Sequence, residues 1–324
     1  MRQQRGMALI TVLLVVAVVS VVCAAIISRQ QLSIRSTANQ LDVRQAWHYA
    51  LGGEVLAKAL LSRDFNQGER SAQVDHLGEL WALPRKPYPL DEGGELRVQI
   101  IDLTGRFNLN SLAAKTPGGG PDDSTLAQFR RLLLGLQIST PYAERLADWL
   151  DEDDQPTGSY GAEDGQYLAA QPPYRAANRI LSDPSELRLL LDMRAEDYER
   201  LLPYVSALPA GTTLNVNTAS ARVLASLSDG LSLSQAQEIV AARGAEGYRD
   251  VQAFQVHLNG LQVQGQALAP YSQYFQVISE VTVGERRQIL RSTLQRSNDG
   301  KVYVLARDLG QGALVPLPVE EVEP

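Results

Sequence analysis

Arg2-Gln-Gln-Arg-Gly6-Met7-Ala-Leu-Ile-Thr11-Val-Leu-Leu-Val-Val16 opens the chain, and the fold of the whole molecule turns on how this stretch is read. The apolar run continues to Ile27, giving 21 residues from Met7 without a charge, a glycine or a proline. As a helix it covers about 30 Å, one bilayer core. A secretory signal would have a shorter apolar core and a small-x-small cleavage site. A lipoprotein box at Cys23 would need a smaller residue than Val22 before it. A plain N-terminal anchor is the simplest alternative. Arg2 and Arg5 precede the run, but Arg29, Arg35 and Arg44 come after it, so the charge rule leaves orientation open.

The helix does not stop at the membrane. No proline occurs before Pro84, and after Gly6 no glycine occurs before Gly52. Leu32, Val43, Ala46, Ala50 and Leu51 make a partly apolar stripe at helical spacing, with Gln30, Gln31, Arg44 and Gln45 on other faces. The pattern predicts one helix from Met7 to Leu61. Residues 7–27 are its transmembrane half, residues 28–61 its amphipathic half, and Gly52-Gly53 a weak point.

Strand signals come next. Glu95–Ile100 alternates with period two, and Arg106–Asn110 is expected to pair back on it as a hairpin. The signals resume at Tyr274–Val283, Arg286–Gln295 and Lys301–Ala306, separated by Gly284-Glu285 and Asn298-Asp299-Gly300 turns. Residues 62–110 and 272–310 thus form an α+β body: a long helix on a small antiparallel sheet. Residues 111–271 read as a large inserted all-α domain, with helices at Leu126–Leu136, Pro141–Leu150, Ser185–Leu191, Ala195–Leu202, Ala219–Leu227 and Leu233–Ala242. The acidic, proline-containing tail 311–324 has no pattern and is expected to be disordered.

Composition narrows the function. The net charge is −7, which argues against a dedicated nucleic-acid binder. A single cysteine rules out an internal disulfide, and three scattered histidines give no metal or triad spacing. No phosphate loop or nucleophile-elbow motif is present, and the chain is not expected to be an enzyme.

The insertion contains an apparent repeat. Asn108-Leu-Asn-Ser111 parallels Asn215-Val-Asn-Thr218, and each precedes a helix. The second copy resembles a helix-hairpin-helix unit, with Asn217 or Thr218 as the expected cap. Gly211–Gly260 holds three arginines against four acids and no lysine, so a packing scaffold is favoured over DNA contact.

Acids concentrate elsewhere. Glu144 to Glu199 carries 14 against five arginines. At its centre stand Asp148-Trp-Leu-Asp-Glu-Asp-Asp154, Glu163-Asp164 and Asn178, among Gly and Pro turns and the aromatics Trp149, Tyr160, Tyr167 and Tyr174. Hard oxygen ligands on a Gly-containing loop suit Ca²⁺. Asp151, Asp153, Glu163 and Asp164 are the candidate ligands, with Asp154 and Asn178 weaker ones. A solvated acidic face and a catalytic metal site are the alternatives.

The basic leader ending at Gly6 before Met7 resembles the signal of type IV pilins and pseudopilins. This resemblance implies leader residues 1–6, cleavage after Gly6 by a prepilin peptidase, methylation at Met7, and an inner-membrane span with a periplasmic body. The family's usual glutamate falls at Thr11. The run Asp-Trp-Leu-Asp-x-Asp, Gly-Ala-Glu-Asp and Pro-Tyr-x-x-x-Asn resembles the K-type minor pseudopilins of type II secretion. That resemblance implies a structural calcium and a tip complex with the I- and J-type minor pseudopilins, seated on the major pseudopilin and capping the filament. A membrane-anchored DNA-uptake protein using the hairpin unit and a membrane-tethered metal hydrolase are the rival readings.

Overall fold

The computed structural model describes residues 4–67, 73–91, 93–113, 123–284 and 286–310. Leader residues 1–3 and the tail 311–324 lie outside the described residues, as do the side chains of residues 4–6.

Helix α1 runs unbroken from Gln4 to Gln67. Its apolar first half is exposed throughout, long and apolar enough to cross a membrane. Its second half lays Ala46, Ala50, Ala57 and Leu61 on a sheet. Gly52-Gly53 is not a weak point. Gly53 faces the sheet so closely that a Cβ there would collide with the Ser279 side chain, so the missing side chain serves helix–sheet contact. The helix also outlasts its expected end at Leu61. Arg296 reaches the Leu61 carbonyl and Asp64, both at 3.4 Å, and lies over the Phe65 ring, which holds the last turns in place.

The sheet has five strands, all antiparallel: β1 (Tyr88–Leu90), β2 (Gly94–Asp102), β7 (Tyr274–Val283), β8 (Arg286–Arg296) and β9 (Val302–Asp308), in the order β1-β2-β7-β8-β9. Alternation places Val98, Ile100, Phe275, Val277 and Leu294 towards α1. Near its membrane end, α1 meets the Gly94/Val283 end of the strands through Ala46 and Ala50. Near its far end it meets the Asp102/Phe275 end through Ala57 and Leu61.

The insertion leaves from β2 and returns to β7 where those strands are neighbours. Asp102 pairs with Phe275, and Leu103 N–H donates to the Tyr274 carbonyl at 3.0 Å. A large domain can therefore be inserted without disturbing the ladder, and it sits at the end of the body far from the membrane helix.

The expected hairpin of Arg106–Asn110 on Glu95–Ile100 does not form. Strand β3 (Phe107–Asn108) pairs in parallel with β4 (Val205–Ser206). Phe107 is fully buried and stacks on Phe129 at 5.0 Å, so the helical core claims this segment. That core extends from Phe107 to Leu258. It is built from α2 (Asp123–Gly135), α3 (Tyr142–Leu150), α4 (Asp164–Tyr167), α5 (Ala195–Leu201), α6 (Ala221–Ala225), α7 (Leu233–Ala242) and α8 (Val251–Val256). The expected helix at Ser185–Leu191 is a 3-10 turn, Pro184–Leu189.

The repeat is architectural. Strand β5 (Leu214–Asn215) pairs in parallel with β6 (Leu268–Ala269), as β3 does with β4, so each half is closed by a two-residue parallel ladder. In both halves the first asparagine accepts from the backbone of the second: Asn108 Oδ1 from Asn110 at 3.2 Å, Asn215 Oδ1 from Asn217 at 2.8 Å. The Asn217 amide donates to the Tyr248 and Pro270 carbonyls and the Thr218 hydroxyl to Asp102, so Ser220 caps α6 instead.

Candidate metal centre

Helix α3 delivers Asp148 and Trp149 in its last turn and ends at Asp151, whose N–H donates to the Ala147 carbonyl at 3.1 Å. The chain then doubles back through Gly158 and Gly161 to Glu163 at the start of α4. A Cβ on Gly161 would collide with the Asp148 carboxylate, so this glycine permits the close return. Beneath the loop, Trp149, Tyr167 and Tyr174 form an aromatic floor with centroids 5.2 to 6.5 Å apart.

One carboxylate oxygen from each of Asp148, Asp151 and Glu163 lies within 4.8 Å of the other two. Ligands at ordinary Ca²⁺–O distances stand no more than about 5 Å apart, so one ion can take all three. Neither Glu163 oxygen receives a hydrogen bond among the described residues, although the residue is buried, and the buried Oδ1 of Asn178 lacks a donor as well. Burial pushes the Glu163 carboxyl up to about 7, and Asp148, Asp151, Asp154 and Asp153 add to it. Burial also raises Asp148, against its hydrogen bonds from Thr157. Buried acceptors without donors, crowded by like charge, fit a hard cation.

The structure sorts the predicted ligands. It gathers Asp151 and Glu163. Asp153 stands beside them, its side chain accepting from the Gln155 N–H at 2.8 Å, and its carbonyl is 3.4 Å from Asn178 Nδ2. Asp154 is exposed. Asp164 turns away to Arg175 and the Ala176 N–H, both at 3.0 Å. Asp148 is the member that sequence reasoning missed. A carboxylate in the last turn of a helix opposes the macrodipole, and that misplacement was the available signal.

A second group, Asp64, Asp75 and Glu79, also converges, but Arg296 neutralises it from within. At the other end of the chain, Met7 is exposed on α1, and the Thr11 hydroxyl donates to the Ala8 carbonyl at 2.9 Å. In the hairpin unit two of the three arginines are engaged by the protein's own carbonyls: Arg243, buried, donates to that of Ala219, and Arg222, at the surface, to that of Gly135.

Residues 105–210 and 214–276 each match the family described as type II secretion system, protein K. The chain belongs to the type II secretion protein K family. The two matched segments coincide with the halves closed by the β3–β4 and β5–β6 ladders. The type II secretion system protein K of Pseudomonas aeruginosa is 57% identical over 98% of this chain and 96% of its own length. Protein K of Klebsiella pneumoniae is 38% identical over 91% and 93%. Among solved structures, a chain of the GspK-GspI-GspJ complex from enterotoxigenic Escherichia coli superposes with a TM-score of 0.72 at 29% identity, covering 85% of this chain and 99% of that one. As a protein K, the chain is a minor pseudopilin of the protein-transport machinery, and its apolar N-terminal helix fits a single-pass membrane anchor.

Proposed function

We propose that this protein K caps the pseudopilus, with its body in the periplasm and its helical domain outermost. The observation that carries this reading is the site of insertion. The domain grows from the Asp102/Tyr274 end of the sheet, beside the end of α1 farthest from the membrane half. A subunit with that mass above its sheet leaves no room for another subunit stacked on top. Thr11 agrees: a glutamate there would answer the terminal amine of a neighbouring subunit, and a buried carboxylate without that partner is costly. The protein of the solved complex is assembled with I- and J-type pseudopilins, and the same partners are assigned to this chain, on top of the major pseudopilin. Leader removal after Gly6 by the prepilin peptidase precedes assembly.

Calcium is the ion assigned to Asp148, Asp151 and Glu163, with Asn178 and Asp153 beside them. It would supply the positive charge that these buried oxygens lack and fix the loop over its aromatic floor. This role is structural, in keeping with a family of filament components rather than enzymes.

Two measurements test the reading. The full chain should co-purify with I- and J-type partners. A variant that joins Asp102 to Tyr274 through a short turn should assemble into longer pseudopili than the full chain. Pseudopili of unchanged length from a variant that still assembles would refute capping.

A further inference from the structure

A cavity of about 430 Å³ lies where the helical domain meets the sheet. Trp81, Ile100, Val223 and Val240 give it apolar walls, and the side chains of Arg106 and Arg243 also line it. Among the described lining residues the single carboxylate is Asp102, and it is already saturated. Its Oδ1 accepts from the Thr104 N–H at 2.8 Å and the Thr104 hydroxyl at 2.6 Å. Its Oδ2 accepts from the hydroxyls of Thr218 and Ser272 and from Asn215 Nδ2. A carboxylate offers about four lone-pair sites, and these donors use them.

Arg106 therefore feels the charge of Asp102 without reaching its oxygens. Its guanidinium makes no hydrogen bond or ion pair among the described residues. Burial disfavours its charged form. The Arg106 side chain is partly exposed, and its five donors are met by no protein group among the described residues, which leaves them to water or to a ligand. A neutral apolar ligand would strip that water and put no acceptor in its place. A phosphate would bring more oxygens than the two cations serve and no apolar surface for the walls. The fitting ligand is an anion at one end and apolar at the other.

We propose that this cavity binds a small monocarboxylate carried on an apolar body, the carboxylate on the Arg106 guanidinium and the body against Trp81, Ile100, Val223 and Val240, while Arg243, held at the Ala219 carbonyl, lends its charge from the cavity wall. A planar guanidinium pairs with a carboxylate through two parallel hydrogen bonds, which fixes orientation as well as charge. Ile100 and Trp81 belong to the body, Val223 and Val240 to the helical domain, so an occupied cavity ties the two together. The inference stands independently of filament capping and of calcium.

Calorimetric titration of the full chain in a non-ionic detergent tests it. N-acetyl-leucine and octanoate are the probes, and N-acetyl-leucinamide and octanol are the matched uncharged controls. At least one acid should bind a single saturable site about tenfold or more tighter than its control. Preference for N-acetyl-leucine identifies a peptide-like carboxylate as the ligand, and preference for octanoate a fatty one. Arg106→Gln should weaken binding by about tenfold or more, and Arg106→Lys by less, with circular dichroism unchanged in both. Acid and control binding equally, no saturable heat from either acid at millimolar concentration, or full affinity in a folded Arg106→Gln would overturn the proposal. The acid-against-control comparison uses the unaltered chain, so it decides the matter whether or not a variant folds.

Discussion

Glu54 on the spine helix and Arg307 on the edge strand β9 share two hydrogen bonds of 2.8 Å, Nε to Oε2 and Nη2 to Oε1. The Ser292 hydroxyl adds a third, 2.6 Å from Oε2. This fork ties the sheet edge to α1, beside the packing of Val302 and Val304 against the same core. Glu54→Gln should cost about 2 kcal/mol, the scale of hydrogen bonds to a charged group. The Arg307 hydrogen bonds hold the Glu54 carboxyl below its ordinary value of 4.5, outweighing its burial. The stabilisation is therefore complete above the unfolded pKa and is lost as pH falls through the lower folded one. Thermal melts should show a gap between wild type and variant at pH 7 that closes on strong acidification. A gap that persists at pH 2 would mean the fork is not the cause.

Arg296 is the cation of the second acidic group. It is buried between the Phe65 and Phe275 rings and paired with Asp75 and Asp64. Arg296→Met keeps the apolar stem but strands the acids, at a cost of about 3–5 kcal/mol. Even with the arginine present, burial lifts Asp75 to about 6 and Glu79 to about 7. Raised acids bind protons better folded than unfolded, so their contribution weakens as pH rises from the unfolded values through the folded ones. Denaturant midpoints should fall between about pH 4 and about pH 7, more steeply in Arg296→Met. The same slope in both proteins would show that Arg296 does not compensate this group.

Periodicity made the long elements legible. Tyr274–Val283 is rich in aromatic and β-branched residues and stops at a Gly-containing turn, and the strand has those ends. The unbroken run after Gly6 gave the spine, but Gly53 could not be read as a contact glycine before Ser279 was known to lie opposite. What sequence could not supply was pairing between distant residues. Phe107–Asn108 has a strand-like pattern, yet its partner Val205–Ser206 is far along the chain, and burial of Phe107 on Phe129 decides against the nearer hairpin. In the acidic loop the composition pointed to a cluster of carboxylates, while which of them converge depended on direction. Asp164 comes directly after Glu163 in sequence but faces Arg175.

The asparagine repeat carries a stability prediction. Asn217 Nδ2 donates to the carbonyls of Tyr248 at 2.9 Å and Pro270 at 3.1 Å, and its Oδ1 accepts from the Tyr248 N–H at 2.6 Å. Asn110 does the same in the first half, joining Leu181 and Leu208. Alanine at either site leaves buried backbone groups unmet and should cost about 3 kcal/mol. If the halves are equivalent, Asn110→Ala and Asn217→Ala will lower the melting temperature by similar amounts. An effect confined to one would show that the two halves, alike in architecture, do not depend equally on this asparagine.

Leader processing is checked by mass. Gly6 lies directly before Met7 at the start of the apolar run, the position at which the proposed cleavage is expected. The mature protein should begin at Met7, and Gly6→Val should keep its leader and fail to assemble. An intact leader on the assembled wild type would refute cleavage.

The calcium assignment turns on Glu163. In the metal-free protein its carboxyl stands at about 7, lifted first by burial and then by the surrounding aspartates. Because the folded value exceeds the ordinary 4.5, metal-free stability should be full at low pH and should decline as pH rises from about 4.5 to about 7. Glu163→Gln removes the charge and keeps the shape, so in chelator at pH 7.5 it should be more stable than wild type, by about 1–3 kcal/mol. Calcium should close or reverse this gap. An ion bound only in the folded state adds about 2.7 kcal/mol at a hundredfold excess over Kd, and the wild type should gain while Glu163→Gln gains little. Magnesium should restore less, since it holds its waters and prefers a tighter octahedron. The wild-type gain should also shrink at pH 5.5, where protons compete for the same oxygens. Melting curves in chelator and in millimolar Ca²⁺ that coincide at pH 7.5 would return the cluster to a solvated acidic face. A calcium gain undiminished in Glu163→Gln would move the ion to other ligands.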